Sequence, residues 1–175
     1  LHSPDDRDCG WLREDSNGFF FLTRDGMRLP VHPRETAEGD LPEHLHLLLA
    51  QSGSMRDMQD ATYNGASELI EALPDDATVT FSTFATNVQP GEAAPKNKVL
   101  AHLRVCEKVA VGSTSLYDAI VMATSEGVGA ASKRTIVIVT DGTDTCSAHT
   151  RTDAQVALAK FQRHPAHRVL FLGSN

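Results

Sequence analysis

The chain has 175 residues, which suits a single domain with a core large enough to fold alone. Apolar residues make up 41% of the chain and charged residues 22%, as in an ordinary soluble globular protein. The net charge of −7, with no basic cluster larger than Lys133-Arg134, argues against nucleic acid or an anionic membrane surface as a partner.

The cysteines and the apolar runs exclude further classes of protein. Cys9, Cys106 and Cys146 are odd in number and far apart, and no C-x-x-C spacing occurs. This pattern predicts neither a disulfide framework nor a structural zinc site, and it favours an intracellular, reducing location. The longest apolar stretch, around 47–50, is too short to span a bilayer.

Residues 1–44 differ in composition from the rest and are predicted to form an N-terminal extension. They hold four of the eight prolines and many acidic residues. Within them, GFFFLTRDGMRLPV (18–31) predicts a β-hairpin with its turn at 24–26. The main domain is then expected to span 45–175.

From residue 45, strands and helices are predicted to alternate. LHLLLA (45–50) is a short apolar run typical of a strand that is covered on both faces. Apolar residues at three- and four-residue spacing then predict a helix from Met55 to Pro74. ATVTFSTFAT (77–86) predicts a second strand and QPGEAAPKN (89–97) a loop. KVLAHLRV (98–105) fits either a helix or an edge strand.

The second half of the chain continues this alternation. A helix is predicted from Thr114 to about 125 and a buried strand at RTIVIVT (134–140). A further helix is expected, capped at Thr152-Asp153 and continuing through Val156 and Ala159 to 160–161, and HRVLFLG (167–173) predicts the last strand. These elements predict an α/β fold with a doubly wound, mostly parallel sheet flanked by helices.

Three loops of this predicted sheet are rich in side-chain oxygens. They are QSGS (51–54), GSTS (112–115) and TDGTDT (140–145). Ligands bind at the carboxyl ends of parallel strands, where these loops are expected to meet. Hydroxyls with one or two carboxylates suit a hard cation such as Mg²⁺.

The order of an apolar strand, SGSM, GSTSLYDAI and IVIVTDGTD resembles the von Willebrand factor A (vWA) domain family. In that family a metal-ion-dependent adhesion site is built from D-x-S-x-S, a distant threonine and the aspartate of a T-D-G sequence. By position, the matching residues are Ser52, Ser54, Thr114 and Asp141. Ala50 stands in the place of the first aspartate.

The alanine at position 50 lowers the affinity expected for the metal ion that the resemblance implies. A methyl group offers neither charge nor lone pair, so the chain as written is expected to bind the cation weakly or not at all. Asp144 lies nearby in sequence and compensates at most in part. No cofactor is therefore expected, and Mg²⁺ or Mn²⁺ is expected if the site is retained or if Ala50 replaces an aspartate of a parent protein.

The resemblance implies a protein-interaction module that is not an enzyme. In the family, the bound cation completes its coordination with an acidic side chain of a protein partner. Gln51, Ser113 and Asp144 are then candidate partner-binding residues beside the metal motif. An alternative is a structural or assembly role in which residues 1–44 form the main contact surface.

A second alternative is a serine hydrolase. Ser54, Asp141 and His164 or His167 follow the chain order of α/β-hydrolases, but the G-x-S-x-G elbow is missing. Among the other histidines, His44 and His46 could bind a metal ion together with His32. A structural role for these histidines is the simpler interpretation.

Overall fold

The computed structural model describes residues 41–125, 133–140 and 144–173, together with the backbone of three N-terminal strands. These strands, β1 (Trp11–Asp15), β2 (Gly18–Leu22) and β3 (Arg28–Val31), pair antiparallel in the order β1-β2-β3. The pairing of β2 with β3 confirms the predicted hairpin, whose turn lies outside the described residues. The sequence pattern does not predict β1, which adds a third strand.

From residue 41 onward, the described residues form strands and helices that largely alternate. The strands are β4 (His44–Ala50), β5 (Thr78–Phe84), β6 (Val88–Gln89), β7 (Ala93–Pro95), β8 (Arg134–Thr140) and β9 (Arg168–Gly173). The helices are α1 (Gln59–Glu71), α2 (Lys96–Val105), α3 (Leu116–Ser125) and α4 (Arg151–Phe161). A short 3-10 helix, Gly53–Met58, leads into α1.

The main sheet has the strand order β6-β5-β4-β8-β9. The strands β5, β4, β8 and β9 run parallel, whereas β6 and β7 pair antiparallel with β5. Each parallel connection passes through helices, so the carboxyl ends of β4, β5, β8 and β9 meet at one edge. This arrangement confirms the predicted mostly parallel α/β sheet.

Strand β4 forms the centre of the core, and all seven of its residues are buried. Leu45, Leu47 and Leu49 pack in the apolar cluster that includes α1 and α2. Leu48 and Ala50 point to the opposite face and pack in the cluster that includes α3 and α4. Each fully buried leucine contributes about 2 kcal/mol through the hydrophobic effect. The two clusters confirm that helices cover both faces of the sheet.

Two segments between β5 and α3 differ from or refine the prediction. The predicted loop at 89–97 contains β7, whose residues pair with Thr78, Val79 and Thr80 of β5. The segment at 98–105 is helical, because Val99 and Leu103, four residues apart, both turn inward. Short antiparallel strands such as β7 carry little periodicity, so the tertiary pairing with β5 decides their conformation.

The predicted cap of α4 at Thr152-Asp153 is wrong. The helix is capped by Thr150, whose hydroxyl accepts a hydrogen bond from the Asp153 N–H, while the Asp153 carboxylate accepts one from the Thr150 N–H. This reciprocal cap needs the acidic residue three positions after the cap, a spacing that Thr152-Asp153 lacks. The buried residues are consequently Ala154, Leu158 and Phe161. Val156 is 62% exposed.

No helix within the described ranges combines the length and the apolar composition that crossing a bilayer requires.

A buried polar layer lies on the α3 and α4 face of the sheet. The Nε2 atoms of His44 and His46 lie 2.8 Å from Thr80 Oγ1 and 2.9 Å from Ser82 Oγ, respectively. Burial, with a smaller effect of the nearby Arg134, lowers the pKa of His44 to about 4. Burial, followed by the charges of His44 and Arg134, lowers the pKa of His46 to about 3. Both imidazoles are therefore neutral in the folded protein at pH 7.

These two histidines predict acid sensitivity. In the unfolded chain they take up protons near pH 6.5, whereas in the folded protein they do so only near pH 4 and 3. Between those values the unfolded state binds more protons, so the free energy of unfolding falls as the pH falls. It is expected to be highest above about pH 6.5. Urea denaturation at pH 7.5, 6.0 and 5.0 measures this loss.

The variant His46→Gln is the control, because a glutamine retains a hydrogen-bonding group but cannot be protonated in this range. Its free energy of unfolding is expected to fall less steeply between pH 6.5 and 5 than that of the unaltered chain. Equal slopes for the two proteins would show that other groups cause the acid sensitivity.

Candidate functional site

Two of the predicted oxygen-rich loops meet at the carboxyl edge of the sheet. The N–H of Gln51, just after β4, donates to the Phe84 carbonyl at 2.7 Å. The Gln51 carbonyl accepts from the Val111 N–H at 2.9 Å, and the Gly53 N–H donates to the Gly112 carbonyl at 3.2 Å. These backbone bonds hold the loop at 51–54 against the loop at 111–115.

Ser52 and Ser54 present a close pair of hydroxyls in this junction. Their Oγ atoms are 3.0 Å apart, with Ser52 2% exposed and Ser54 open to solvent. Adjacent oxygen ligands of an octahedral Mg²⁺, each about 2.1 Å from the ion, are also separated by about 3 Å. The spacing of the hydroxyls therefore fits a hard cation.

The described residues do not add to these hydroxyls the carboxylates that a cation site of this kind needs. Ala50 is 1% exposed, and its methyl group belongs to a buried apolar cluster with Met55, Phe84 and Leu116. Asp141 lies outside the described residues. Among the residues that are described, no three His, Cys, Asp or Glu side chains are placed to hold a metal ion. At the motif positions that are described, the side chains are therefore three hydroxyls and one methyl group.

Thr114 is buried at the junction and joins it to the loop that follows β8. Its N–H donates to Thr145 Oγ1 at 2.8 Å, and its carbonyl accepts from the Thr145 N–H at 2.8 Å. Thr114 is 4% exposed. A third predicted loop therefore reaches the same edge, although Asp141 itself is not described.

Asp144 anchors this third loop to the start of α3. Its Oδ1 accepts hydrogen bonds from the Tyr117 N–H at 3.1 Å and from the Ser147 hydroxyl at 2.6 Å. The Tyr117 N–H belongs to the first turn of α3, where backbone donors lack partners within the helix and favour a negative charge. These bonds give Asp144 a structural role besides any contact with a partner.

Asp118, on α3, binds the same loop through the loop's backbone N–H groups. Its carboxylate accepts from the N–H groups of Ala148 at 3.0 Å and His149 at 2.8 Å, and lies 2.7 Å from His149 Nδ1. Partial burial raises the pKa of Asp118, but the hydrogen bonds from His149 and Ala148 outweigh it and hold the pKa below its usual value. Sequence alone gives no signal for this role, since a surface aspartate in a helix has the same pattern.

The remaining candidates, Gln51 and Ser113, lie at the same edge. Gln51 Nε2 donates to the Tyr63 hydroxyl at 2.8 Å, which orients the side chain toward α1. Ser113 is exposed, and its N–H donates to Thr86 Oγ1 at 3.1 Å. Gly112 before it has φ +86°, and a Cβ there would lie 2.5 Å from Thr86 Oγ1. This turn therefore requires glycine.

The histidines of the hydrolase alternative are not brought to this edge. Ser54 follows the carboxyl end of β4, whereas His164 and His167 precede the amino end of β9. Because β4 and β9 lie in one parallel set of strands, about 20 Å of strand length separates these ends. The structure thus does not assemble Ser54 with either histidine.

The anchor at Asp118 predicts a stabilising interaction. Asp118→Ala leaves two backbone N–H groups without their acceptor and is expected to lower the free energy of unfolding by about 1–3 kcal/mol. Asp76→Ala, at an exposed turn with no hydrogen bond described here, is the matched control and should change little. Urea denaturation measures both. A loss no larger for Asp118→Ala than for Asp76→Ala would contradict the anchoring role.

Comparison with known proteins gives matches in structure alone. No protein-family model and no curated protein sequence matches the chain. Proximal thread matrix protein 1 from the mussel byssus, solved with a zinc-occupied MIDAS motif, has a TM-score of 0.61 and 15% identity. The match covers 77% of this chain and 38% of the mussel protein, so the chain spans well under half of that relative.

Two bacterial structures give similar matches. A von Willebrand factor type A protein from Catenulispora acidiphila has a TM-score of 0.57 and 13% identity, over 89% of this chain and 41% of its own. An aerotolerance-related membrane protein from Bacteroides fragilis has a TM-score of 0.57 and 21% identity, over 74% of this chain and 66% of its own. At these identities the matches show the fold, and the chain therefore has the α/β fold of von Willebrand factor A domains.

Proposed function

We propose that this chain is a protein-interaction domain that binds its partner through the loops at the carboxyl edge of the main sheet. The observation that carries this proposal is the Ser52 and Ser54 hydroxyl pair, 3.0 Å apart, held beside Thr114 by backbone bonds between three loops. The shared fold of the vWA structures supports the same edge as the binding surface. The role is binding and not catalysis.

The exposed groups at this edge define the chemistry of the partner. Ser54 and Ser113 are open to solvent, and Val111 beside them is 58% exposed. Hydroxyl groups donate hydrogen bonds to a carboxylate, and an exposed valine adds apolar contact. An acidic side chain flanked by an apolar residue is the partner group that this surface suits.

The cation of the family is proposed to bind weakly here. The two serine hydroxyls have the spacing of cis ligands, but Ala50 supplies a buried methyl group where the family has a carboxylate. Asp144, the nearest described acidic residue of the β8 loop, already accepts from Tyr117 and Ser147. With Ala50 in place, Ser52, Ser54, Thr114 and Asp141 would bind Mg²⁺ or Mn²⁺ with reduced charge and low affinity.

The substitution Ala50→Asp tests this proposal. A carboxylate at this buried position lacks a partner without metal and should lower the free energy of unfolding. Mg²⁺ is expected to bind the variant and restore stability, by about 2.7 kcal/mol when its concentration is 100 times the dissociation constant. Calorimetric titration with Mg²⁺ and Mn²⁺, with thermal unfolding at each concentration, measures both effects.

Ala50→Asn is the matched control, because it adds similar volume without charge and should gain no metal affinity. Adding Ser54→Ala to Ala50→Asp should remove much of the gained affinity. Tight binding of Mg²⁺ by the unaltered chain would contradict the impaired site. Failure of Ala50→Asp to bind either metal would contradict the assignment of this edge as a cation site.

A structural role for the N-terminal segment is the second candidate. Strand β3 lies beside β9, the strand that ends the main sheet. Open edges of sheets expose unpaired backbone groups and pair with other chains, so a cover at this edge would keep the domain monomeric.

Deleting residues 1–40 is therefore expected to produce self-association. Sedimentation velocity measures it, with circular dichroism to verify that the helices and strands remain. A truncated chain that stays monomeric would contradict a covering role for this segment.

A further inference from the structure

A groove of about 760 Å³ lies between α3 and α4. Its size falls within the range of about 300–1,000 Å³ that is typical of sites for small organic ligands. Part of its wall is apolar and comes from Val121 of α3 and from Val156, Ala157 and Phe161 of α4. Val156 is 62% exposed, so an apolar surface remains open to solvent inside the groove.

One end of the groove is rich in cationic groups. Arg134 lies in the wall, 4% exposed, with its guanidinium carbon 5.1 Å from the centroid of the Phe161 ring. Lys160, in the last turn of α4, lines the same groove and is exposed. Arg134 Nη2 donates to the Ala123 carbonyl at 3.2 Å, and Lys160 adds a cationic group that is open to solvent.

Two stacked histidines line this end, and one of them, His164, offers a hydrogen-bond donor. The rings of Phe161 and His167 stack with centroids 4.6 Å apart, and those of His167 and His164 stack at 4.2 Å. The Ala166 N–H donates to His164 Nδ1 at 3.2 Å, which places the proton of the neutral ring on Nε2. His164 can therefore donate a hydrogen bond from Nε2.

The acidic groups of the groove lie at its other end. Asp153 is seven residues before Lys160 on α4, a distance of about 10 Å along the helix axis. Its carboxylate accepts hydrogen bonds in the cap with Thr150, and His149, which also lines this end, lies 2.7 Å from Asp118. The cationic end consequently has no carboxylate among the described lining residues.

We propose that this groove binds a small amphipathic organic anion. The acidic group of the ligand lies at the end formed by Arg134, Lys160 and His164, and its apolar body lies along Val121 and Val156. The separation of charge along α4 gives the ligand one orientation. This site is distinct from the carboxyl-edge surface, which is built from the loops after β4 and β8, and the two are testable separately.

Calorimetric titration of the full chain with 1-naphthyl phosphate tests the site, since this probe combines an aromatic body and an anionic head. Saturable binding is expected, whereas inorganic phosphate, which lacks the body, and 1-naphthol, which lacks the charge, should each bind at least about tenfold more weakly. Lys160→Glu should weaken binding of the naphthyl phosphate by about tenfold. Val156→Ser should weaken the binding of 1-naphthyl phosphate but leave the binding of inorganic phosphate unchanged.

Lys98→Glu, the same charge change at an exposed position of α2 on the opposite face of the sheet, is the matched control and should bind like the unaltered chain. An equal loss of affinity in Lys98→Glu and Lys160→Glu would show a general effect of net charge and would overturn the proposed site. Absence of saturable binding by the unaltered chain at millimolar probe would overturn it as well. Inorganic phosphate binding as tightly as the naphthyl ester would overturn the amphipathic character of the ligand.

Discussion

The pairing of β4 with β5 on one side and β8 on the other is the constraint on which the rest of the structure depends. It buries all seven residues of β4, places leucines alternately in two apolar clusters, and aligns the carboxyl ends of three parallel strands. Because register is fixed by the alternation of faces, a slip of one residue would exchange the two sets of side chains. The same register sets Ala50 at the last position of β4, immediately before the serine turn.

The site at the carboxyl edge is held mainly by backbone groups, and the acidic side chains near it serve the scaffold. Thr114 and Thr145 exchange backbone and hydroxyl hydrogen bonds, while Asp144 and Asp118 each accept from N–H groups of the facing segment. These hydrogen bonds join the facing segments to one another at this edge. That property is compatible with a binding surface that works by hydrogen bonds and shape, as proposed for this chain.

Arg134 connects the interior of the sheet with the groove between α3 and α4. Its charge contributes to the lowered pKa values of His44 and His46, its Nη2 donates to the Ala123 carbonyl at 3.2 Å, and its guanidinium lies over Phe161. Burial and the Arg134 charge together disfavour protonation of His44 and His46, and the same buried cation supports the proposal that the groove beside it binds an anion. The polar layer on this face therefore differs in chemistry from the purely apolar cluster that β4 shares with α1 and α2.

The class of fold, the positions of the main strands and the residues of the serine turn follow from the sequence alone, because apolar runs and glycine-containing turns are local signals. The sequence also shows Ala50 at the position where the family that it resembles has an aspartate. The conformation of β7 and the exposure of Val156 depend on the neighbours that each segment meets, whereas the cap at Thr150 is a local signal, a threonine three residues before an aspartate. Only long-range packing shows that Asp118 and Asp144 anchor a loop and that Arg134, Lys160 and His164 lie at one end of a groove. Contacts between residues about 30 positions apart or more have no period in the sequence, so long-range packing had to bring them together before their chemistry could be recognised.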